Sequence, residues 1–144
     1  MITLNRIYLK EVMVTTPHTI GVEEPFSKVV EIFSTKKIRH LPVIDEFAVL
    51  RGIISQRDLY RITSPRKDEE GLLIYDKASL DKYVLKYVMT KEVFTLSQDD
   101  TLGKAITSMV THKYGCIPVV DNEKHLLGIV TQIDILRSVA KYFL

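Results

Sequence analysis

One seven-residue stretch occurs twice in this chain, and this repetition restricts the possible folds more than any other feature. The first copy runs from Gly52 to Asp58 and the second from Gly128 to Asp134, 76 positions later. Each copy has a glycine, two β-branched apolar residues, a hydroxyl residue, two further residues and an aspartate. The pattern predicts a buried strand that runs directly into a helix, with the hydroxyl at the N-cap and the carboxylate at the third helical position. The free backbone N–H groups at such a helix start are able to hold a phosphorylated ligand.

The repetition extends over most of the chain. Residues 12–62 align with residues 88–138 without a gap, and 15 of these 51 pairs are identical. A duplicated apolar skeleton indicates two copies of one packing unit, and about 50 residues are too few for either copy to be stable alone. We therefore expect residues 1–71 to form one repeat with its lead-in and linker. Residues 72–144 are expected to form the second repeat, with a lead-in helix and a C-terminal helix.

Each repeat has the sequence pattern of a β-α-β-β-α unit. The apolar residues of the first predicted helix recur at the i, i+3, i+4 and i+7 spacing of a buried helical face, namely Phe26, Val29, Val30 and Phe33. Residues 41–44 predict a strand. Because proline lacks a backbone N–H, Pro42 indicates either that this strand lies at a sheet edge or that the proline is among its first residues. Between the repeats, the charged residues 63–71 predict a solvated loop. Residues 79–88 then predict a single helix capped by Ser79.

Composition excludes several classes of protein. Charged residues make up 26% of the chain and the net charge is only +2, which argues against nucleic-acid binding. No apolar run approaches the roughly 20 residues that span a bilayer, and the start lacks the pattern of a secretory signal. The single cysteine, Cys116, cannot form an internal disulfide, which favours a reducing compartment. We expect a soluble, cytoplasmic protein without a membrane partner.

The sequence also lacks the patterns that typify catalytic sites. Its six glycines are scattered, so neither a dinucleotide-binding fingerprint nor a Walker A loop is present. The four histidines and one cysteine lack metal-ligand spacing. No carboxylate pair has the arrangement of a general acid and base. The sequence therefore predicts no enzyme, no metal site and no catalytic cofactor.

The order, spacing and duplication of these motifs resemble the cystathionine-β-synthase (CBS) domain in a tandem pair, or Bateman module. The matching segments of the first repeat are Val12-Met13, Thr19-Ile20, Arg39–Asp45 and Gly52–Asp58. Their partners in the second are Val88-Met89, Thr95-Leu96, Gly115–Asp121 and Gly128–Asp134. The resemblance implies an α+β fold of two βαββα repeats packed around a pseudo-twofold axis, with two clefts between them. Nothing beyond the pair remains in the sequence, so we expect a stand-alone module.

The resemblance further implies which residues line the clefts, because each cleft takes a strand start and connector from one repeat and the hydroxyl-x-x-aspartate from the other. The first cleft would combine Thr19, Ile20, Ile38 and His40 with Thr131 and Asp134. The second would combine Thr95, Leu96, Tyr114 and Cys116 with Ser55 and Asp58. A carboxylate accepts two hydrogen bonds at once and therefore suits the vicinal hydroxyls of a ribose. The candidate phosphate ligands are Lys36, Lys37, Arg39, His40 and Arg57.

Two functions are consistent with this reading. CBS pairs typically bind adenine nucleotides (AMP, ADP or ATP) or S-adenosylmethionine as regulatory ligands and often form homodimers, which favours a ligand-sensing module that signals to an unknown partner protein. The alternative is a non-catalytic dimerisation scaffold with vestigial clefts. A hydroxyl-x-x-aspartate is also a capping box, a purely structural device. The sequence leaves open whether Asp58 and Asp134 stabilise a helix, bind a sugar or do both.

Overall fold

The structure is a computed structural model that describes residues 3–63, 66–74 and 77–144. Its helices are a 3₁₀ turn at Leu4–Arg6 and the α-helices α1 (Leu9–Val12), α2 (Phe26–Thr35), α3 (Gln56–Ile62), α4 (Lys77–Leu80), α5 (Leu85–Val88), α6 (Leu102–His112) and α7 (Gln132–Phe143). Its strands are β1 (Ile20–Gly21), β2 (His40–Ile44), β3 (Leu50–Ser55), β4 (Arg66–Lys67), β5 (Leu73–Ile74), β6 (Cys116–Val120) and β7 (Leu126–Thr131). Among the described residues, no helix is both long enough and apolar enough to cross a membrane.

The predicted β-α-β-β-α order is present in both repeats, and the α+β class is confirmed. In the first repeat, β1 pairs in parallel with β2, and β2 lies between β1 and β3 in one sheet. In the second, Leu96 forms a parallel bridge to Val119 where the first repeat has β1. The antiparallel pair β6–β7 places Cys116 opposite Thr131. Each hydroxyl-x-x-aspartate therefore lies where a strand, β3 or β7, runs directly into a helix.

The described residues form two compact units that interleave along the chain. The first-repeat unit contains the described residues of His18–Glu46 and Arg51–Glu92. The second-repeat unit contains those of Met1–Pro17, Phe47–Leu50 and Val93–Leu144. Residues 3–17, which precede the first repeat, thus belong to the second-repeat unit, and residues 77–92, which precede the second repeat, belong to the first-repeat unit. These two segments are called the lead-in segments below, and the predicted boundary between residues 71 and 72 stays a prediction.

The cores of the units show why the lead-in segments are divided in this way. In the first-repeat unit, Leu80, Leu85 and Met89 are buried in the same cluster as the apolar face of α2. In the second-repeat unit, Ile7 and Leu9 are buried in the cluster that surrounds α6. A repeat of about 50 residues buries too little apolar surface alone, so each core is completed by side chains from a lead-in segment.

In the first-repeat unit, the glycine of the duplicated motif allows the backbone of the lead-in segment to approach β3 closely. Ile53 and Thr90 exchange two backbone hydrogen bonds, 3.0 Å and 2.9 Å long. A Cβ atom at Gly52 would lie 2.6 Å from Met89 Sδ and 2.8 Å from the Thr90 carbonyl oxygen. Any larger side chain at this position would therefore push the lead-in segment away from β3.

The second-repeat unit repeats this arrangement. Val14 and Ile129 exchange backbone hydrogen bonds of 2.9 Å and 3.1 Å. A Cβ atom at Gly128 would lie 2.6 Å from the Val14 carbonyl oxygen and 2.9 Å from Met13 Sδ. The glycine of the motif is thus explained by close backbone approach in both copies.

The segment before the second repeat differs from the single helix predicted over residues 79–88. It forms two short helices, α4 and α5, and Ser79 lies inside α4 rather than at its N-cap. Between them, Asp81 accepts a hydrogen bond from the Ser27 backbone N–H at 3.1 Å. The Tyr83 hydroxyl donates to the Ile62 carbonyl oxygen at 2.7 Å. These tertiary contacts within the unit outweigh the local helix propensity of the segment.

Two other predictions also need correction. The predicted loop at 63–71 contributes β4, which pairs antiparallel with β5, while residues 64–65 of this loop lie outside the described residues. Pro42 is the third residue of a central strand rather than part of a sheet edge. The equivalent Pro118 shows how a sheet accepts proline here, because its carbonyl oxygen accepts from the Leu96 N–H at 3.1 Å. The nitrogen of Pro118 lies on the same side of β6 as this carbonyl, next to the short extended segment that contains Leu96. That segment needs no N–H donor at this position.

We expect the Gly128→Ala substitution to lower the free energy of unfolding by about 2 kcal/mol, because the added methyl group overlaps the Val14 carbonyl oxygen. Urea denaturation followed by circular dichroism measures this change. Gly21→Ala is the matched control, since its Cβ would meet only Glu24 Cγ at 3.5 Å. Equal stability of the two variants would contradict the close-approach explanation.

Candidate functional site

In the first-repeat unit, Ser55 and Asp58 form a reciprocal capping box at the start of α3. The Asp58 backbone N–H donates to Ser55 Oγ at 3.1 Å, and Asp58 Oδ2 accepts from the Ser55 backbone N–H at 2.8 Å. Both residues are half-buried. These bonds satisfy two backbone donors of the helix start and engage only one oxygen of the carboxylate.

The equivalent capping box in the second-repeat unit is more buried. Asp134 Oδ2 accepts from the backbone N–H and from the hydroxyl of Thr131, both at 2.8 Å. The Asp134 residue is 9% exposed. Its other oxygen, Oδ1, faces the Arg137 guanidinium at 3.9 Å, beyond hydrogen-bonding distance. The carboxylate therefore caps α7 with one oxygen and presents the other toward a cation.

The basic connector of the first repeat lies beside the Asp58 corner. Gln56, the first residue of α3, donates its backbone N–H to the Arg39 carbonyl oxygen at 2.9 Å. Burial of His40 is the main cause that lowers the pKa of its imidazole, and the Arg39 and Arg57 charges lower it further, while the Asp58 carboxylate raises it. The structure therefore groups His40 with Asp58 within one unit. The pairing of His40 with Asp134, which the family resemblance implies, stays a prediction.

The remaining cations of this region differ in their exposure. Lys37, Arg39 and Arg57 are exposed, while Ile38 is half-buried and packs against the core of the first-repeat unit. Exposed arginine and lysine side chains are free to reorient toward an anion, whereas the half-buried imidazole of His40 has a fixed position. Of the predicted phosphate ligands, Arg39, His40 and Arg57 thus lie near the start of α3.

In the second-repeat unit, the counterpart of His40 is Cys116. Its side chain is buried, and burial together with the nearby Asp134 charge raises the pKa of the thiol to about 12. Cys116 therefore remains a protonated thiol and acts as a buried apolar residue rather than as a nucleophile. Gln132, the first residue of α7, donates its backbone N–H to the Gly115 carbonyl oxygen at 3.3 Å, as Gln56 does in the other unit.

Tyr114 belongs to an aromatic cluster that the sequence did not reveal. Its ring is stacked on Phe94, with centroids 5.1 Å apart, and on His112, with centroids 5.3 Å apart. Phe94 precedes the Thr95-Leu96 segment, and His112 ends α6, so the cluster joins residues that are distant in sequence. The contact gives Tyr114 a packing role beside the Thr131 corner, and its predicted ligand role stays a prediction.

The short extended segments occupy less accessible positions. Ile20 and Leu96 are buried in the apolar cores of their units, with 3% and 5% of their surfaces exposed. Thr19 and Thr95, which precede them, are half-buried. Ile20 and Leu96 are thus core residues, and any contact they make with a ligand would use their backbone groups.

An open pocket of about 280 Å³ lies beside Asp134 in the second-repeat unit. Glu11 and Val12 of α1 line one side, and the side chains of α7 line the other, namely Asp134, Arg137, Ser138, Lys141 and Tyr142. Sequence reasoning missed this pocket, because α1 meets α7 only through the folding of the unit. The sequence feature that could have indicated this pocket is Arg137, because the equivalent position of the first repeat is also an arginine.

The described residues contain no group of three or more His, Cys, Asp or Glu side chains that is arranged to hold a metal ion.

A lowered pKa for His40 has a measurable consequence for stability. In the unfolded chain this histidine takes up a proton near its ordinary pKa of 6.5, and in the folded chain only at lower pH. Between these values the unfolded state binds more protons, so the free energy of unfolding falls as the pH is lowered through this window. We expect His40→Gln to lose less stability than the wild-type chain between pH 7.5 and pH 5.5, measured by urea denaturation. An equal loss in both proteins would contradict the burial of the imidazole.

A family model of the CBS domain matches residues 9–64 and 85–141. Homoserine O-acetyltransferase of Methanohalobium evestigatum is 24% identical over 139 residues, which cover 96% of this chain and 25% of the relative. Inosine-5'-monophosphate dehydrogenase of Methanocaldococcus jannaschii is 29% identical over 127 residues, covering 88% of this chain and 22% of the relative. This chain thus spans about a quarter of the length of these relatives. A CBS domain-containing protein of Dictyostelium discoideum is 27% identical over 140 residues and is covered to 93% of its length, with 94% of this chain.

Solved structures give the same result for the fold. The CBS domain pair of protein MJ0100, in complex with 5'-methylthioadenosine and S-adenosyl-L-methionine, has a TM-score of 0.74 and 25% identity. It covers 93% of this chain and 96% of its own. CBSX2 in complex with AMP has a TM-score of 0.78 and 24% identity, covering 94% of this chain and 97% of its own.

Proposed function

This chain belongs to the CBS domain family as a tandem pair, and we propose that it is a regulatory module that binds an adenosine-containing metabolite without catalysing a reaction. The observation that carries this proposal is the pair of hydroxyl-x-x-aspartate corners, in which the capping bonds engage Oδ2 of each carboxylate. A carboxylate that caps a helix with one oxygen retains the other for the hydroxyls of a ribose. The complex of the MJ0100 domain pair with two adenosyl compounds supports this class of ligand.

The charges of the Asp58 corner support a phosphorylated form of the ligand there. Arg39 and Arg57 lie close enough to His40 to lower the pKa of its imidazole, and the Arg39 carbonyl oxygen accepts from the backbone N–H of Gln56, the first residue of α3. A phosphate group at this corner would satisfy these donors and would raise the pKa of His40. We therefore expect AMP, ADP or ATP to bind more tightly here than adenosine.

Signalling to a partner protein is the second part of the proposal. In the curated relatives that are enzymes, the matching segment is about a quarter of the protein, so such a module accompanies a larger functional unit there. A ligand shifts a conformational equilibrium only by its difference in affinity for the two states. We propose that occupancy at the aspartate corners supplies this difference and that the regulated partner reads the resulting state.

Isothermal titration calorimetry with adenosine, AMP, ADP, ATP and S-adenosylmethionine tests the ligand class. We expect at least one of these compounds to bind, and Asp134→Asn or Asp58→Asn to weaken binding about ten-fold at its own corner, because a charge-assisted hydrogen bond to the sugar is lost. Absence of heat from every compound would contradict the proposal and favour a scaffold with vestigial sites.

Thr131→Ala separates the two roles of Asp134. The substitution removes a capping hydroxyl and is expected to lower the free energy of unfolding by about 1 kcal/mol, while it leaves the carboxylate in place. Binding should therefore fall less in Thr131→Ala than in Asp134→Asn, since the carboxylate keeps its charge and its bond from the backbone N–H of residue 131. Equal loss of binding in both variants would show that Asp134 acts only through the cap.

The exposed surface of α7 favours a homodimer, in which the partner is a second copy of this chain. Ile133, Leu136 and Phe143 are exposed large apolar side chains, and with Ala140 they follow the 3-4-3 spacing of one helix face. The adjacent face of α7 is buried, with Ile135 in the core. A second copy of the chain presents the same apolar face, so a symmetric contact would cover both.

Light scattering coupled to size-exclusion chromatography tests this dimer. We expect a dimer for the wild-type chain and a monomer for Leu136→Lys, which introduces two like charges at the symmetric contact. Val110→Lys is the matched control, since Val110 is an exposed valine on α6 of the same unit. A wild-type monomer, or an unchanged mass for Leu136→Lys, would contradict the dimer surface.

A further inference from the structure

We propose that the pocket between α1 and α7 binds the sugar and phosphates of the ligand at Asp134, with Arg137 and Lys141 as its phosphate ligands. This inference rests on the proposed adenosine-binding function and names the part of the second-repeat unit that recognises the phosphates. The sequence assigned this role to the connector of the first repeat, and neither Arg137 nor Lys141 was among its candidates.

The side chains of α7 separate into three faces. With about 100° per residue, Ile133, Leu136 and Phe143 point to one sector, whereas Asp134, Arg137 and Lys141 occupy another. The third sector faces the core through Ile135. The pocket face is therefore distinct from the apolar dimer face, and both can be occupied at once.

The groups in the pocket are complementary to a sugar phosphate rather than to a simple anion. Asp134 presents Oδ1 at one end, an acceptor that suits hydroxyl donors. Arg137 and Lys141 supply cationic donors along the helix. The carboxylates of Asp134 and Glu11 balance these two cations, so a small free anion would gain little net attraction. A ligand with hydroxyls at one end and a phosphate at the other matches each group in turn.

The spacing along α7 gives the order of contacts. At 1.5 Å per residue, Arg137 lies about 4.5 Å and Lys141 about 10 Å along the helix axis from Asp134. A ribose held on Asp134 would direct its first phosphate toward Arg137, and further phosphates would extend toward Lys141. Arg137 pairs with the Asp134 carboxylate only at 3.9 Å and its side chain is 77% exposed, so its guanidinium can turn toward a phosphate while the ribose hydroxyls take its place at Oδ1.

The far end of the pocket is formed by Lys141 and Tyr142. Lys141 Nζ lies 5.2 Å from the centroid of the Tyr142 ring, so its ammonium group is held near the pocket wall by a cation–π contact. Tyr142 is itself half-buried and packs against the core of the unit. This contact limits the freedom of the lysine and lowers the entropy that it would lose on binding a phosphate.

Among the residues that the structure describes, the helix of the first repeat is shorter than the phosphate arm on α7 requires. Arg61 is the counterpart of Arg137, but α3 ends at Ile62, whereas α7 continues to Phe143. The positions corresponding to Lys141 and Tyr142 in the first repeat are residues 65 and 66, which follow the end of α3. The two repeats therefore differ in phosphate recognition, and the longer helix belongs to the second.

Calorimetric titration of the full chain with adenosine, AMP, ATP and ribose 5-phosphate tests the pocket. In Arg137→Met, we expect about a ten-fold loss in affinity for AMP and ribose 5-phosphate and unchanged affinity for adenosine. In Lys141→Met, we expect a similar loss for ATP and little change for AMP. Arg61→Met, the counterpart substitution in the first repeat, is the matched control and should leave all four affinities at the Asp134 site unchanged.

Each outcome has a definite meaning. Wild-type binding of AMP and ATP that both variants retain would overturn the phosphate arm and leave the adenosine-binding function intact. Equal loss of adenosine and AMP in Arg137→Met would also overturn it, since the arginine would then act on the sugar or on the fold. Absence of binding by the wild-type chain to all four compounds would overturn the phosphate arm, and the proposed function would be overturned with it only if ADP and S-adenosylmethionine also fail to bind.

Discussion

The close approach of each lead-in segment to its sheet is the constraint on which the rest of this structure depends. At Gly52 and Gly128 the backbone of a lead-in segment lies where a side chain would otherwise stand, and paired hydrogen bonds fix it there. The same segments carry the buried side chains that complete the two cores. Because β3 and β7 run without a break into α3 and α7, the position of the strand determines where each helix starts, and therefore where Asp58 and Asp134 lie.

At each helix start, the cap uses one oxygen of the carboxylate, and the proposed ligand binding would use the other. In both copies Oδ2 is engaged by the N-cap residue, which fixes the orientation of the group, and in Asp134 the other oxygen, Oδ1, faces the Arg137 guanidinium. A ligand that binds such a carboxylate has little ordering cost to overcome, since the side chain is already held in one rotamer. The structural and the functional interpretation of the motif are therefore compatible, and the cap would support the proposed binding role.

Much of the fold was predictable from the sequence because local patterns and the duplication agree. The helical face of Phe26 and Val29, the two capping boxes and the β-α-β-β-α order all follow from periodicity and from the pairing of equivalent positions. The sequence does not show which distant part of the chain each segment packs against. The break between α4 and α5 depends on Asp81 and Tyr83 finding tertiary contacts. The stacking of Phe94 on Tyr114, the pocket between α1 and α7 and the proximity of His40 to Asp58 arise in the same way, from contacts between residues distant in sequence.

The exchange of lead-in segments also determines when each unit can be finished during synthesis on the ribosome. The first-repeat core includes Met89, so it remains open at one side until the chain has been translated well past its own last strand. Ile7 and Leu9 leave the ribosome before the other buried residues of their core, yet these core partners include Ile135, more than 120 residues later. This apolar segment is thus covered only after both repeats have been translated, which places its greatest exposure to chaperones and to misassociation in that interval.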